Sequence, residues 1–281
     1  MFHSKMALLF AVAVCGFSAV SCSKNSEDSI RIGMECDYAP FNWTEAKENE
    51  NNLAISNADG YADGYDIQVA KVIGEKLGKK VKIVKEKWES LVPDADSGLI
   101  DLVLAGMTNT EERAKTIDFS EEYYHSEVVL LTSSAMAESV SGKVLGKEDL
   151  TSLLSGKNVI SQKDTIEDDI AANFATEFGA VHVTPQTTYT LAANDVSLGI
   201  AAALVVEKPV AKAYVSSLKN VGIVSLDQSV LGVELSSLGV SIGMKKGNTA
   251  LKDSVNEALA TLSTEKREEM MLAAVERSSS N

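Results

Sequence analysis

The pattern of apolar and polar positions after residue 30 alternates between two periods. Short runs rich in β-branched residues, such as "IRIGM" from Ile30 and "VKIV" from Val81, are typical of strands. Between them, "DIQVAKVIGEKLG" repeats apolar residues every three or four positions and closes on Gly78, which predicts a helix with a glycine cap. Strands that alternate with helices predict an α/β protein with a largely parallel sheet.

The same first series continues to residue 124. "DLVLA" predicts a buried strand that ends at Gly106, and Thr110 is a suitable N-cap for a helix over "EERAKTI". The acidic, asparagine-rich stretch "TEAKENENNLAISNADGYADG" (44–64) has no clear period and predicts a mobile surface loop.

A second series follows the strand "EVVLLT". The low-complexity piece "SSAMAESVSGK" (133–143) predicts a surface connection before that series begins. Its elements are strands at "NVI", "VHV" and "AAALVV" and helices at 165–178, at 187–198 and from Pro209.

The last strand, in "GVSIGM", and the two helices after it lack a partner in the second series. They would return to the first one, which predicts two lobes joined by two chain crossings. Residues 30–124 with 237–281 would form lobe 1, and residues 125–236 would form lobe 2. Such lobes enclose a cleft, where open α/β sheets hold their ligands.

The N-terminal residues have the plan of a secretory signal peptide. Lys5 precedes an apolar run that is shorter than the roughly 20 residues of a membrane span, and small residues follow. We expect residues 1–21 to be removed and the protein to be exported. Cys22 is placed as in a lipobox, which would make it a lipid anchor to the membrane with residues 22–29 as a tether; ordinary cleavage after Ser21 is the alternative.

Composition narrows the class of function. Removing residues 1–21 takes away one of 26 basic residues and none of 40 acidic ones, which leaves a formal charge of −15. Nucleic acid is therefore not an expected partner. Cys36 stands alone in the folded part, so no internal disulfide is expected. Because the sequence has no Cys/His cluster of metal-binding spacing and no phosphate loop, we expect no metal and no other cofactor.

One arginine in "AGMTNTEERAKTIDFSEEYY" (105–124) has no obvious partner. Arg113 could form a surface ion pair with Glu111 or Glu112. Its guanidinium fork also matches the plane of a carboxylate, so that it could equally bind an anionic group of a ligand.

Five segments, taken in order, identify a family. They are "IRIGMECDYAPFNW", "GYDIQVAKVIGEKLG", "WESLVPDADSGLIDLVLAGMTNTEERAKTIDFSEEYYHS", "ISQKDTIEDDIAANF" and "AAALVVEKPVA". With them the chain resembles the type II periplasmic solute-binding proteins of the polar amino-acid family, the receptor components of ABC importers. The resemblance covers nearly everything after the tether and implies the two-lobed fold of that family.

The resemblance also implies a site for an α-amino acid. Arg113 would pair with the ligand's carboxylate, and Ala105, the backbone at Gly106 and the hydroxyl of Thr108 would complete its shell. Glu207, where the family more often has aspartate, would hold the α-ammonium group; a role as a helix-capping carboxylate is the alternative.

The ligand's side chain would be read by an acid and two aromatic rings. The resemblance places Tyr38 and Trp88 as walls and Glu35 at the distal end, although either ring could also be a plain core residue. An acid beside aromatic faces favours a cationic tip. Arginine or lysine is therefore the expected ligand, with histidine, ornithine or glutamine behind them.

One motif departs from the family. Where glycine and a hydroxyl residue usually precede Thr165, this chain has Lys163 and Asp164. Asp164 would cap the following helix, yet its carboxylate would repel that of a ligand. Either Arg113 and Thr165 hold the ligand's acid, or Asp164 helps to read a positive ligand; a binder of acidic amino acids that uses Lys163 is the less favoured hypothesis.

These features predict a monomeric substrate-binding protein that closes on a basic L-amino acid and is recognised by a membrane permease. Two alternatives use the same scaffold. A cyclohexadienyl-dehydratase-like enzyme would use Glu207 as general acid, with its pKa raised by burial. A ligand sensor would signal to a partner membrane protein.

Overall fold

The structure, a computed structural model, describes residues 28–234 and 238–279. The predicted signal peptide, Cys22 and nearly all of the predicted tether lie outside these residues. Within the described part of the chain, no helix combines the length and the apolar character that a membrane crossing requires.

A five-stranded sheet forms the centre of the first lobe. Its strand order is β6-β1-β7-β15-β8, with β1 parallel to both of its neighbours and β15 antiparallel to both of its own. Two of its four pairings are parallel, so this sheet is mixed rather than largely parallel as predicted. The strands are β1 (Ser29–Met34), β6 (Lys80–Lys85), β7 (Leu102–Val103), β8 (Ile117–Tyr124) and β15 (Val240–Lys245).

The stretch 44–64, predicted as a loop, contributes the end of one strand and two further short strands to a second, antiparallel sheet. Its order is β2-β3-β5-β4, and asparagine side chains support the turn within it: Asn52 donates through Nδ2 to the carbonyl of Lys47 at 2.8 Å. The loop prediction was wrong because strands this short have no readable period. The strands are β2 (Asp37–Tyr38), β3 (Asn42–Glu45), β4 (Leu53–Ala54) and β5 (Tyr61–Asp63).

The second lobe is built on a six-stranded sheet of order β10-β14-β9-β13-β11-β12. The central strand β9 is antiparallel to both neighbours, whereas β11 is parallel to β12 and β13. The strands are β9 (Val128–Ser133), β10 (Val144–Leu145), β11 (Asn158–Ile160), β12 (Val181–His182), β13 (Ala203–Glu207) and β14 (Val221–Leu226).

Helices cover both larger sheets. Two predictions about them were inaccurate: the piece 133–143 contains a helix capped by the Ser133 hydroxyl, and the helix after Thr110 ends at Ala114 because Ile117 already belongs to β8. The helices are α1 (Tyr65–Leu77), α2 (Trp88–Ser97), α3 (Glu111–Ala114), α4 (Ser134–Ser139), α5 (Lys147–Leu154), α6 (Ile166–Phe178), α7 (Tyr189–Ser197), α8 (Lys208–Ser217), α9 (Thr249–Leu259) and α10 (Thr264–Ser278), with a 3₁₀ turn at Gln228–Val230.

The second-lobe sheet is buried on both faces. Along β9, Val129 and Leu131 pack into the cluster that also holds the first lobe's core, whereas Val128 and Leu130 pack into a separate cluster on the outer face. This alternation follows from the two-residue period of a strand. Apolar packing is therefore continuous from one lobe to the other at the inner face, where the cleft lies.

The last helix ties the end of the chain to the small sheet. Arg277 of α10 pairs with the buried Asp63 of β5 at 2.9 Å, and its guanidinium lies 6.0 Å from the ring of Trp43. Because Asp63 is buried, this pair is shielded from solvent on its acidic side. It fixes α10 against the lobe that carries β15.

Candidate functional site

Residues from both lobes line one small closed cavity. Its volume is about 10 Å³, roughly the room of a single water molecule, so the two walls are nearly in contact. Nine of the ten predicted ligand-binding residues line it. The lining is Glu35, Tyr38, Trp88, Ala105, Gly106, Thr108, Arg113, Gln162, Thr165, Glu167, Tyr189 and Glu207.

Arg113 points across the cleft rather than along its own helix. Its Nη1 donates to the carbonyl oxygen and to Oγ1 of Thr108, both at 2.8 Å, and its Nη2 donates to the carbonyl of Asp164 on the other lobe at 2.9 Å. The ring of Trp88 lies 5.0 Å from the guanidinium carbon. The surface-pair interpretation was wrong, since Glu112 pairs with Lys115 instead.

The guanidinium of Arg113 keeps donors for a ligand. Of its five N–H groups, three donate in the bonds just given, and two are left without an acceptor among the described residues. Burial lowers the pKa of this guanidinium, an effect that Glu167 opposes most. A carboxylate entering the cavity would find a partly desolvated cation with a free pair of donors.

The turn at Gly106, beside Arg113, is held in place by a hydrogen bond to Tyr123, which in turn bonds to Asp66. The N–H of Gly106 donates to the hydroxyl of Tyr123 at 3.0 Å, and that hydroxyl donates to the buried Asp66 at 2.7 Å. The amide of Gly106 is therefore occupied, and a contribution of the backbone around Gly106 to a ligand's carboxylate shell stays a prediction. Gly106 has φ +59°, and a Cβ there would lie 2.7 Å from the ring of Tyr38, so the turn needs glycine for the close approach.

Two tyrosine–glutamate pairs form the opposite side of the cavity. The Tyr38 hydroxyl donates to Glu207 across the cleft, and the Tyr189 hydroxyl donates to Glu167 within the second lobe at 2.8 Å. The two phenol rings stack with centroids 4.9 Å apart. Glu207 stands at the N-cap position of α8, but its side chain makes no capping bond, so the capping alternative was wrong.

Glu35 closes the remaining side. It follows β1, is 6% exposed, and accepts a hydrogen bond at 2.9 Å from Nε2 of Gln162, which lies on the other lobe. Burial raises the pKa of the Glu35 carboxyl to about 7. A cationic group beside it would restore the charged form.

Asp164 lies outside the cavity lining, contrary to its predicted role as a ligand residue. Its side chain is exposed and 3.6 Å from Lys163, and Thr165 rather than Asp164 caps α6 by accepting from the amide of Asp168. Only its carbonyl takes part, as the shared acceptor for Arg113 and for the indole N–H of Trp88. Its φ of +61° lies in the left-handed region, which glycine adopts most readily.

Sequence reasoning missed three lining residues: Gln162, Glu167 and Tyr189. Glu167 is the first of three successive acids in α6, and nothing in their order tells which one faces the cleft. The signal available was position alone, since Glu167 comes two residues after Thr165 and Gln162 comes three before it. Tyr189 begins α7, whose placement depends on tertiary packing.

The charges in the cavity favour a ligand with more cationic than anionic groups. One guanidinium faces three buried carboxyls, those of Glu35, Glu167 and Glu207, and burial raises the pKa of each of the three. A cation that enters the cavity favours the ionised form of such carboxyls. Within residues 28–234 and 238–279, no three His, Cys, Asp and Glu side chains are grouped as metal ligands would be.

A two-lobed α/β protein that closes polar walls over one cavity belongs to the class of binding proteins with a hinged cleft. The sequence pattern of the bacterial extracellular solute-binding proteins, family 3, matches residues 30–272. The chain belongs to that family.

Similar proteins agree with this assignment. The arginine-binding extracellular protein ArtP of Bacillus subtilis is 33% identical over 172 residues, which are 61% of this chain and 58% of that protein. The matched part is thus less than two thirds of that relative's length.

Two solved structures share the fold. An amino-acid ABC transporter substrate-binding protein from Streptococcus pneumoniae, bound to L-arginine, superposes with TM-score 0.72 at 23% identity, covering 90% of this chain and 97% of that one. An ancestral amino-acid-binding protein, a precursor of cyclohexadienyl dehydratase, superposes with TM-score 0.69 at 26% identity, covering 88% and 95%.

Proposed function

We propose that this protein captures a basic L-amino acid, arginine or lysine, outside the cytoplasm and presents it to the permease of an ABC importer. The observation that carries the proposal is the charge arrangement of the cavity: one arginine with free donors faces three buried acids. An amino acid with a cationic side chain carries one carboxylate, which suits the arginine, and two cationic groups, which suit the acids.

Each end of the ligand would have its own partner. The carboxylate would accept from Arg113 and from the hydroxyl of Thr108, with Thr165 at the start of α6 beside it. The α-ammonium would bind Glu207. The cationic tip would bind Glu35, the acid at the border to the solvent-facing recess that Trp88 also lines.

Binding would exchange protein contacts for ligand contacts. The bond from Tyr38 to Glu207 and the bond from Gln162 to Glu35 both cross the cleft and use groups that the ligand needs. The lobes must therefore part before a ligand enters, and they close again around it. A permease that recognises the closed, liganded form would receive the ligand selectively.

Export, anchoring and the monomeric state belong to the same proposal. Residues 1–21 would be a signal peptide, and Cys22 would carry a lipid that holds the receptor at the membrane. The mass of the N-terminal peptide of membrane-extracted protein checks this, because an unmodified N-terminus there contradicts lipidation.

The test is isothermal titration calorimetry of the mature chain, refolded to strip carried ligand, against arginine, lysine, histidine, ornithine, glutamine and glutamate. We expect arginine or lysine to bind most tightly. In Glu35→Gln, affinity for these two should fall about tenfold or more, because a buried charge-assisted bond is lost, while glutamine binding changes little.

The matched control is Glu75→Gln, which removes an equal charge from an exposed position of α1. It should bind as the wild type does. Equal losses for arginine and glutamine in Glu35→Gln would contradict the role of Glu35, and absence of heat with every amino acid would refute the receptor.

One observation favours the dehydratase-like alternative. Burial, and then the neighbouring Glu167, raise the pKa of Glu207 well above its ordinary value, as a proton donor requires. Prephenate and arogenate are the probes, and turnover that Glu207→Gln abolishes would replace the receptor by the enzyme. A third reading, a sensor for a membrane partner, predicts ligand binding without uptake.

A further inference from the structure

Glu167 is a buried acid of the cavity to which the proposed ligand contacts assign no role. It is 4% exposed, whereas Asp168, the next residue of the same helical turn, is half-buried and Asp169 is exposed. Asp168 is occupied by His182 and by the Ser161 hydroxyl. Only Glu167 turns its carboxyl into the cleft.

The carboxyls of Glu167 and Glu207 line the same cavity. Each accepts a bond from one of two tyrosine hydroxyls, and the rings of those tyrosines, Tyr189 and Tyr38, stack with centroids 4.9 Å apart and planes 21° apart. Two stacked phenols thus bind the two carboxyls of one cavity. A carboxylate has about four acceptor sites, so each retains capacity for another donor.

The carboxyls of Glu167 and Glu207 face one cation and three phenols. These are the guanidinium of Arg113 and the phenols of Tyr38, Tyr189 and Tyr214. Burial, and then repulsion by Glu167, raise the pKa of Glu207. Burial also raises the pKa of Glu167, although the hydrogen bond from Tyr189 and the charge of Arg113 act in the opposite direction. Two like acids in such a site titrate as one unit and tend to share a proton.

We propose that Glu167 and Glu207 form one ammonium site, in which the α-ammonium group of the ligand replaces a proton that the two carboxyls share in the unliganded protein. The inference rests on the proposed function and adds Glu167 to it. In the exchange, the O–H bond of the protonated carboxyl breaks and its proton passes to the buffer. The ammonium group then donates N–H bonds to both carboxylates.

This exchange makes binding depend on pH in a defined direction. Because the liganded form holds fewer protons than the free form, affinity rises with pH through the titration of the pair and becomes level above it. A single glutamate that is already ionised in the free protein would give no such slope.

Calorimetry in two buffers measures the exchange directly. Arginine is titrated into the mature chain near neutral pH in phosphate and in Tris, whose ionisation enthalpies differ. We expect arginine to release about one proton more than its α-hydroxy analogue at the middle of the titration. The analogue lacks the ammonium group, so it should bind more weakly and release only the proton that its guanidinium displaces from Glu35.

Variants then test whether the released proton comes from the carboxyls of Glu167 and Glu207. Glu167→Gln should lose the extra proton that arginine releases relative to its α-hydroxy analogue, and about tenfold or more of the affinity for arginine. Glu167→Asp, which keeps the charge, should restore release. Asp169→Asn, a matched loss of charge in the same helical turn, should behave as the wild type does.

Two results overturn the inference while the receptor stands: the same proton release for arginine and for its α-hydroxy analogue at every pH from about 5.5 to 8, or wild-type affinity and proton release in Glu167→Gln. Thermal unfolding and circular dichroism verify that this variant is folded, and Glu167→Asp answers the question if it is not. No binding of any basic amino acid refutes the proposed function, and the inference falls with it.

Discussion

The two walls of the cavity carry opposite chemistry. For the α-groups of the proposed ligand, the first-lobe wall offers the guanidinium of Arg113, flanked by Thr108 and by the indole of Trp88, whereas the second-lobe wall offers the carboxyls of Glu167 and Glu207; Glu35, the acid of the first lobe, is left for the ligand's side chain. A zwitterion placed between them satisfies each wall with a different group. Neither wall alone provides both halves, so binding strength and lobe closure depend on the same contacts. Breaking one wall at a time tests this division.

The largest effect should come from the cationic wall. Arg113→Ala removes two charge-assisted bonds to the ligand's carboxylate, each worth about 1.5–3 kcal/mol, so affinity for every amino-acid ligand should fall roughly 100-fold or more. It also removes the bond to the Asp164 carbonyl, which helps to hold the lobes together. Calorimetry with arginine, lysine and glutamine measures the loss.

Lys115→Ala is the control, since it deletes an exposed cation two residues further along. It should leave affinity within about twofold of the wild type. Arginine binding within tenfold of the wild type in Arg113→Ala would remove the carboxylate assignment from this residue.

A smaller effect should separate two pairs of the same chemistry. Tyr38 donates to Glu207 across the cleft, whereas Tyr189 donates to Glu167 within the second lobe. Tyr189→Phe leaves a buried acid short of one donor in both the open and the closed form, so the free energy of unfolding should fall by about 1–2 kcal/mol. Tyr38→Phe should leave it nearly unchanged and shift the unliganded protein towards the open form.

Urea unfolding measures the first quantity, and small-angle scattering of the unliganded protein measures the second. Each variant serves as the other's control, because both delete one phenolic oxygen from a stacked ring. Equal losses of unfolding free energy in the two variants would show that both bonds persist in the open form, and would contradict the division between the walls.

The cationic wall was the more predictable from sequence. Arg113, Thr108 and the glycine turn lie within a short stretch, so their relative placement follows from local structure: a strand end, a turn and a helix capped by Thr110. The alternation of strands and helices likewise predicted most elements of both lobes. Predictions from local spacing cover few residues, but they are reliable wherever residues that are close in sequence are also close in space.

The acidic wall was harder to predict because it depends on rotation and on distant packing. Successive residues of a helix differ by about 100° in direction, so the choice among Glu167, Asp168 and Asp169 is set by how α6 rests on its sheet. Tyr189 reaches the site only because α7 packs near β2. The small sheet of β2, β3, β4 and β5 was not predicted for a related reason. Its polar strands are ordered by the elements that pack beside them and show no regular alternation of apolar and polar residues.

The smallest effect should come from Asp164, where backbone and side chain have separate roles. Its carbonyl joins the lobes, but its carboxylate is exposed. Asp164→Gly keeps the carbonyl and suits φ +61°, so arginine affinity should stay within about twofold and the unfolding free energy within about 1 kcal/mol. Asp164→Val also removes the charge, but its β-branched side chain resists this φ and should displace the carbonyl, weakening binding several-fold. Calorimetry of the two variants separates the roles: a loss of about tenfold in both would mean that the carboxylate itself attracts the cationic ligand.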